Sequence, residues 1–183
     1  MKLLPPCLIC FLVGSVPAYA DTCPLEPPNL VKNSSFECDG INSSHLISPI
    51  TGWTVNDTNI GETSFFDPVL VGHAEYLAIC TVGKPGVVSQ TIRTVPGQTY
   101  AFTFTFSSDG SEGDFFQARW GNQVVMEADS MSFRPGWATF NGSAEYSFIV
   151  TAISTHTKIS FRGEGNGTSC IGVDDVSVTP TAP

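Results

Sequence analysis

Six residues, Phe115 to Trp120 (FFQARW), put Phe115, Gln117 and Arg119 on one side of an extended chain and Phe116, Ala118 and Trp120 on the other. A flat ring beside a planar amide and a planar guanidinium can stack on a sugar ring and hydrogen-bond its hydroxyls. If the second trio enters a core, the first faces a polar sheet surface, placed beside Thr103 and Thr105. Tyr76 and Trp137, the latter after Pro135-Gly136, are further stacking candidates. Trp53 and Trp120 read as core. The bland alternative for Gln117 and Arg119 is a solvated strand face.

Other chemistries find less support. His45, His73 and His156 lie in separate loop-like contexts and read as surface residues. There is no GxSxG, no HExxH and no ordered Glu-x-Asp-x-x-Glu strand. Glycoside hydrolysis needs two carboxylates about 5 to 9 Å apart, whereas the acidic residues here fall mostly in loops, so the chain is not expected to be an enzyme. The formal charge is −9. Such acidity argues against nucleic acid as a partner, because that affinity rests on neutralising phosphates.

The elements that must hold these residues are strands. From Gly86 to Phe106 the chain reads as a hairpin, two strands joined by a turn at Pro96-Gly97, where proline presets φ and glycine supplies a positive one. Tyr100, Phe102, Phe104 and Phe106 alternate with small polar residues, so one face is core. Val88, Gln90 and Ile92 share a face, which places an amide among apolar groups; Gln90 is expected to bond neighbouring backbone. Further strands are expected at Leu30–Glu37, Gly52–Val55, Val69–Val71, Glu75–Cys80, Phe115–Trp120, Val124–Glu127, Tyr146–Ala152, Lys158–Arg162 and Val173–Val178, with Asn56 to Asp67 a loop. Many short strands, turn signals between them and no helical window predict an all-β, antiparallel sandwich or barrel. No repeat or linker divides residues 21–183, which read as a single domain.

Residues 1–20 have a basic start at Lys2, an apolar run from Leu8 to Val13 and Ala18-Tyr19-Ala20 before Asp21: a secretory signal with a small-x-small cleavage site. No later segment reaches spanning length, so the mature chain is expected to be secreted and extracellular, or periplasmic or surface-bound in a bacterium, with no membrane insertion. Its removal leaves seven basic against seventeen acidic residues, a formal charge of −10. It also leaves Cys23, Cys38, Cys80 and Cys170, which in an oxidising compartment make two disulfides. Sequons stand at Asn33, Asn42, Asn56, Asn141 and Asn166 and would carry surface glycans in a eukaryotic host.

Asn33-Ser-Ser-Phe-Glu37, a Gly-Trp at Trp53, Ser89-Gln90-Thr91 with Val95-Pro-Gly-Gln-Thr-Tyr100, and Val173-Asp-Asp-Val-Ser-Val178, in this order, resemble the jelly-roll carbohydrate-binding modules of the CenC type and related secreted galactose-binding-like domains. The resemblance covers essentially the whole mature chain. It implies a jelly-roll β-sandwich whose first and last strands pair, often with structural calcium, and sugar binding on a concave sheet or at loop tips. Glu37 and Asp174 match the family's usual calcium ligands; the stretch Val71 to Ala74 lacks the further carboxylate unless Glu75 serves. If the first and last strands pair, Cys38 and Cys170 come close, and Cys80 joins them if its strand flanks the last one. Cys23–Cys38 with Cys80–Cys170 is preferred over Cys38–Cys170 with Cys23–Cys80. The expected function is non-catalytic binding of a cell-wall or extracellular polysaccharide. The rival is a structural or adhesive surface protein that packs on other proteins and has no sugar site.

Overall fold

Four aromatic rings on one face of a single strand, Tyr100, Phe102, Phe104 and Phe106, are all buried, and the molecule is layered about them. The computed structural model describes residues 27–40, 48–63, 75–108, 114–129, 143–165 and 170–182. Within these are ten strands: β1 (Thr54–Val55), β2 (Ile60–Thr63), β3 (Tyr76–Ile79), β4 (Gly86–Arg93), β5 (Thr99–Ser107), β6 (Phe115–Trp120), β7 (Gln123–Asp129), β8 (Ser143–Thr151), β9 (His156–Glu164) and β10 (Ile171–Pro180). They form two antiparallel five-stranded sheets. The front sheet runs β1-β4-β9-β6-β7 and the back sheet β2-β3-β10-β5-β8. Sheets of this kind bury one face and leave the other to solvent.

The core lies between them, and period-two alternation fills it from both sides. The rings of β5 meet Phe116 and Trp120 of β6 and Phe161 of β9: Phe106 and Phe116 have centroids 4.4 Å apart, Phe104 and Phe161 5.1 Å in an edge-on contact, and Tyr100 and Trp120 5.7 Å. Trp53 is buried against Phe36 and Phe161 and donates its Nε1–H to the Asn33 carbonyl. Both tryptophans expected in the core are there.

Three expectations fail. The stretch Gly86 to Phe106 is two strands but not a hairpin: the turn at Val95–Gln98, with Gly97 at φ 83° and Gln98 N–H bonded to the Val95 carbonyl at 3.0 Å, passes the chain from the front sheet to the back. Leu30–Glu37 is not a strand. Asn33 and Phe36 take φ of 48° and 58°, and such left-handed residues break a ladder. The segment still lies along β10, through Leu30 N–H to the Val178 carbonyl and Val176 N–H to the Ser34 carbonyl. It is clipped to β4 by Gln90, whose Oε1 accepts from Lys32 N–H at 2.8 Å and whose Nε2 donates to the Lys32 carbonyl at 2.9 Å; the backbone partner expected for this amide is found. Third, Asn56 to Asp67 is not all loop, since it contains β2 paired with β3.

The strand carrying Cys80 does flank β10 antiparallel. Cys80 and Cys170 are disulfide-bonded, which rules out the alternative pairing. Cys38 is also disulfide-bonded; its preferred partner Cys23 lies outside the described residues, as does the expected strand at 69–71.

Candidate functional site

On β6, Phe116, Ala118 and Trp120 are buried inward, so Phe115, Gln117 and Arg119 point away from the core, as the alternation predicts. Their neighbours come from the pairing of β6 with β9 and β7. Gln117 stands between Arg162 and Glu127, and Arg119 between Ser160 and Val124. Gln117 Nε2 donates to Glu127 Oε2 at 2.6 Å and Gln117 Oε1 accepts from Arg119 Nε–H at 2.5 Å. The amide is 5% exposed although it faces outward. It links the Glu127 carboxylate to Arg119 and fixes the guanidinium in direction. Arg162 lies over the Phe115 ring, 5.6 Å from its centroid, a cation–π contact. Beyond β9 the face continues through Ser89 and Thr91 of β4 and Thr54 of β1. The result is a polar sheet surface with one ring, planar hydrogen-bonding groups and small hydroxyls.

Thr103 and Thr105 are not part of it. They lie on β5 in the back sheet, across the core, because the turn after β4 changes sheets. Tyr76 is on β3, also in the back sheet, half-buried beside Gly172, so it does not join the row. Trp137, His45 and His73 lie outside the described residues. His156 is exposed at the start of β9. Arg162, Ser160 and Glu127 were not singled out from the sequence. The outward alternation of Lys158, Ser160 and Arg162 was readable, but not that β9 lies beside β6.

A second cluster sits where the N-terminal segment meets the back sheet. Asp174 of β10 is fully buried, and burial first, then the charges of Asp175 and Glu37, push its carboxyl up to about 8. Glu37 Oε1 accepts from Glu75 N–H at 3.0 Å. The two expected calcium ligands are thus close enough to feel one another, although the first comes from a loop rather than a paired strand. Among the described residues no group of three or more His, Cys, Asp or Glu side chains is arranged to hold a metal ion. The donor type suits a hard cation, which takes six to eight oxygens; main-chain carbonyls would have to supply the balance.

Beside it is a network that the sequence did not suggest. Glu62 of β2 is fully buried and receives Asn33 Nδ2–H on Oε1 at 2.7 Å. Asn33 also donates to the Thr51 carbonyl at 3.1 Å and accepts from Cys38 N–H at 3.2 Å. Burial, then the neighbouring Asp39 carboxylate, pushes Glu62 up to about 9, with a smaller push from Glu75. Burial also acts upward on Asp39, but hydrogen bonds from Thr51 Oγ1–H and N–H outweigh it and hold Asp39 below the ordinary range. Glu62 is therefore a neutral acid beside the Asp39 carboxylate, with its Oε2 buried and without a hydrogen-bond partner among the described residues. Asn33 is 2% exposed, so its sequon has no room for a glycan in this fold; Asn56 is exposed.

No protein-family model matches the chain. Among solved structures, the module TmCBM61, determined with β-1,4-galactotriose, has a TM-score of 0.55 at 15% identity, covering 84% of this chain and 99% of that one. The enzymatically active domain of tailspike protein 4 from bacteriophage CBA120 also gives 0.55, at 17% identity over 84% of this chain and 21% of that one. A two-module piece of the Clostridium thermocellum xylanase 10B, CBM22-1 with GH10, complexed with xylohexaose, gives 0.50 at 14% identity over 72% of this chain and 26% of that one. At such identities likeness speaks for the fold. This chain has the jelly-roll β-sandwich fold found in carbohydrate-binding modules.

Proposed function

We propose that the chain is a secreted, non-catalytic carbohydrate-binding module and that its ligand lies on the outer face of the front sheet. The observation that carries this reading is the outward row Phe115, Gln117 and Arg119, with Gln117 held between Glu127 and Arg119. Planar donors and acceptors fixed beside a ring suit an oligosaccharide, which offers hydroxyl pairs and a flat C–H face. The jelly-roll fold, shared with a module determined with galactotriose, is a second support. Export is supported by the leader-like residues 1–20 and the Cys80–Cys170 bridge; among the described residues no helix is long and apolar enough to cross a membrane. Calcium held by Glu37 and Asp174, with main-chain oxygens completing its shell, is the structural part of the proposal, because a cation there would offset the cost of the buried Asp174 charge.

The test is retention of the chain from Asp21 to Pro183 on a panel of soluble and insoluble polysaccharides, with calcium and with chelator. Binding to one polymer class that is lost in Gln117→Ala and Arg119→Ala supports the reading. A chelator should lower the melting temperature without changing specificity. No retention by protein shown to be folded turns the case to the adhesive reading. That reading takes its own support from Ile149 and Ile153, 69% and 93% exposed, on edge strand β8 and the turn after it.

A further inference from the structure

The outer face of the front sheet gathers positive charge in an acidic protein. Arg93, Arg119, Lys158 and Arg162 are four of the eight lysines and arginines in the sequence, and all four point away from the core on adjacent strands. The pairing fixes their order. Ser160 of β9 lies opposite Ser89 of β4 on one side and Arg119 of β6 on the other. Lys158 and Arg162 are the next outward residues of β9 on either side of Ser160, each about 7 Å away along the strand. Arg93 lies opposite His156, one step beyond Lys158. None of the four cations forms an ion pair among the described residues, where the ion pair found is Lys84 with Asp57. Carboxylates on this face, Glu127, Asp129 and Glu164, collect at the other end, around Phe115 and Gln117.

The middle of the face carries the smallest side chains. These are the Ser89–Ser160 pair, each 7% exposed, whose hydroxyls have no hydrogen-bond partner among the described residues. Arg119 stands opposite Ser160 on β6, and Lys158 and Arg162 flank Ser160 on β9; Arg119 is turned toward Gln117 and Arg162 toward Phe115, and an anion over the serines would draw both back. Three cations around two free hydroxyls suit an oxyanion, which accepts charge-assisted hydrogen bonds and is held less well by neutral sugar hydroxyls. Resting on the sugar-binding reading above, we propose that the ligand is an anionic glycan, one of whose carboxylate or sulfate groups sits over Ser89 and Ser160 between Arg119, Lys158 and Arg162. The protein's overall negative charge repels a polyanion at long range, but at 0.1 M salt that repulsion is screened beyond about 10 Å, and the local cations decide.

The experiment measures affinity of the chain from Asp21 to Pro183 for polygalacturonate and alginate as carboxylate polymers, dextran sulfate as a sulfate polymer, and β-1,4-galactan and xylan as neutral ones. One anionic class should bind at least tenfold more tightly than the neutral polymers. Lys158→Gln and Arg162→Gln should each weaken that binding about tenfold, as expected for a lost charged hydrogen bond. Ser160→Ala, which removes no charge, should weaken it severalfold, and Lys84→Gln, off this face, should not change it. All variants are checked for unchanged thermal unfolding. Neutral polymers bound as well as anionic ones overturn this inference and leave the sugar-binding reading standing; no binding to any polymer overturns both. Equal binding of single-stranded DNA, or an unaffected Ser160→Ala, would also sink it, since either marks indiscriminate attraction without a seat for the anion.

Discussion

Glu62 stays neutral in the folded protein at pH values where it ionises in the unfolded chain. With its carboxyl pushed up from 4.5 to about 9, the unfolded state loses a proton that the folded state keeps, so Glu62 lowers stability as pH rises from about 4.5 to about 9. The sign is opposite for Asp39, whose lowered carboxyl contributes stability that is lost in acid. Glu62→Gln keeps the acceptor for Asn33 without an ionisable group. It should raise the melting temperature at pH 8 by several degrees and leave that at pH 4.5 nearly unchanged, so the two pH–melting curves converge in acid; parallel curves would contradict the neutral acid. Gln90 is the reverse case, an amide whose burial was plain from its apolar flanks. Gln90→Leu strands both backbone groups of Lys32 and should cost about 2–3 kcal/mol in a denaturant titration. Gln90 was legible because its own strand announced it. Glu62 was not, because its neighbours Asn33 and Asp39 lie far off in sequence and meet it through irregular backbone.

Strands with one wet face were the easiest to read, while β2, buried throughout, was missed. β6, β9 and β10 alternate apolar and polar residues between turn signals. All four residues of β2, Ile-Gly-Glu-Thr, are buried, so no alternation marks it. Leu30–Glu37 misled in the other direction, because two left-handed residues turn a strand-like string into a docked loop. Which strands share a sheet was the larger gap, since a five-residue turn serves a hairpin and a sheet-to-sheet crossing alike. Gly86 shows how closely the segments then fit. A methyl there would come within 2.6 Å of Ile60 Cδ1 and Thr81 Cγ2, and Thr81 cannot easily turn, being bonded to Gly86 N–H at 3.0 Å and to the Gly163 carbonyl at 2.8 Å. Gly86→Ala should therefore destabilise by about 1–3 kcal/mol, seen as a lower denaturant midpoint with unchanged slope.

For the molecule as a whole, the Cys80–Cys170 bridge ties β3 to the entry of β10 across 90 residues of sequence. Replacing both cysteines by serine should remove about 2–4 kcal/mol of stability, and the loss should match that produced in the parent by selective reduction of this bridge. The strand it ties has a further consequence, in time rather than in energy. β10 is the last strand made, yet it fills the middle of the back sheet, between β3 and β5. Until residues 171–180 have been synthesised, β3 and β5 have nothing between them, and the N-terminal segment lacks the Val176 and Val178 backbone groups on which it docks. The back sheet cannot close before residues 171–180 are present. A polypeptide interrupted before Ile171 should therefore stay sensitive to protease, however much of the front sheet it contains.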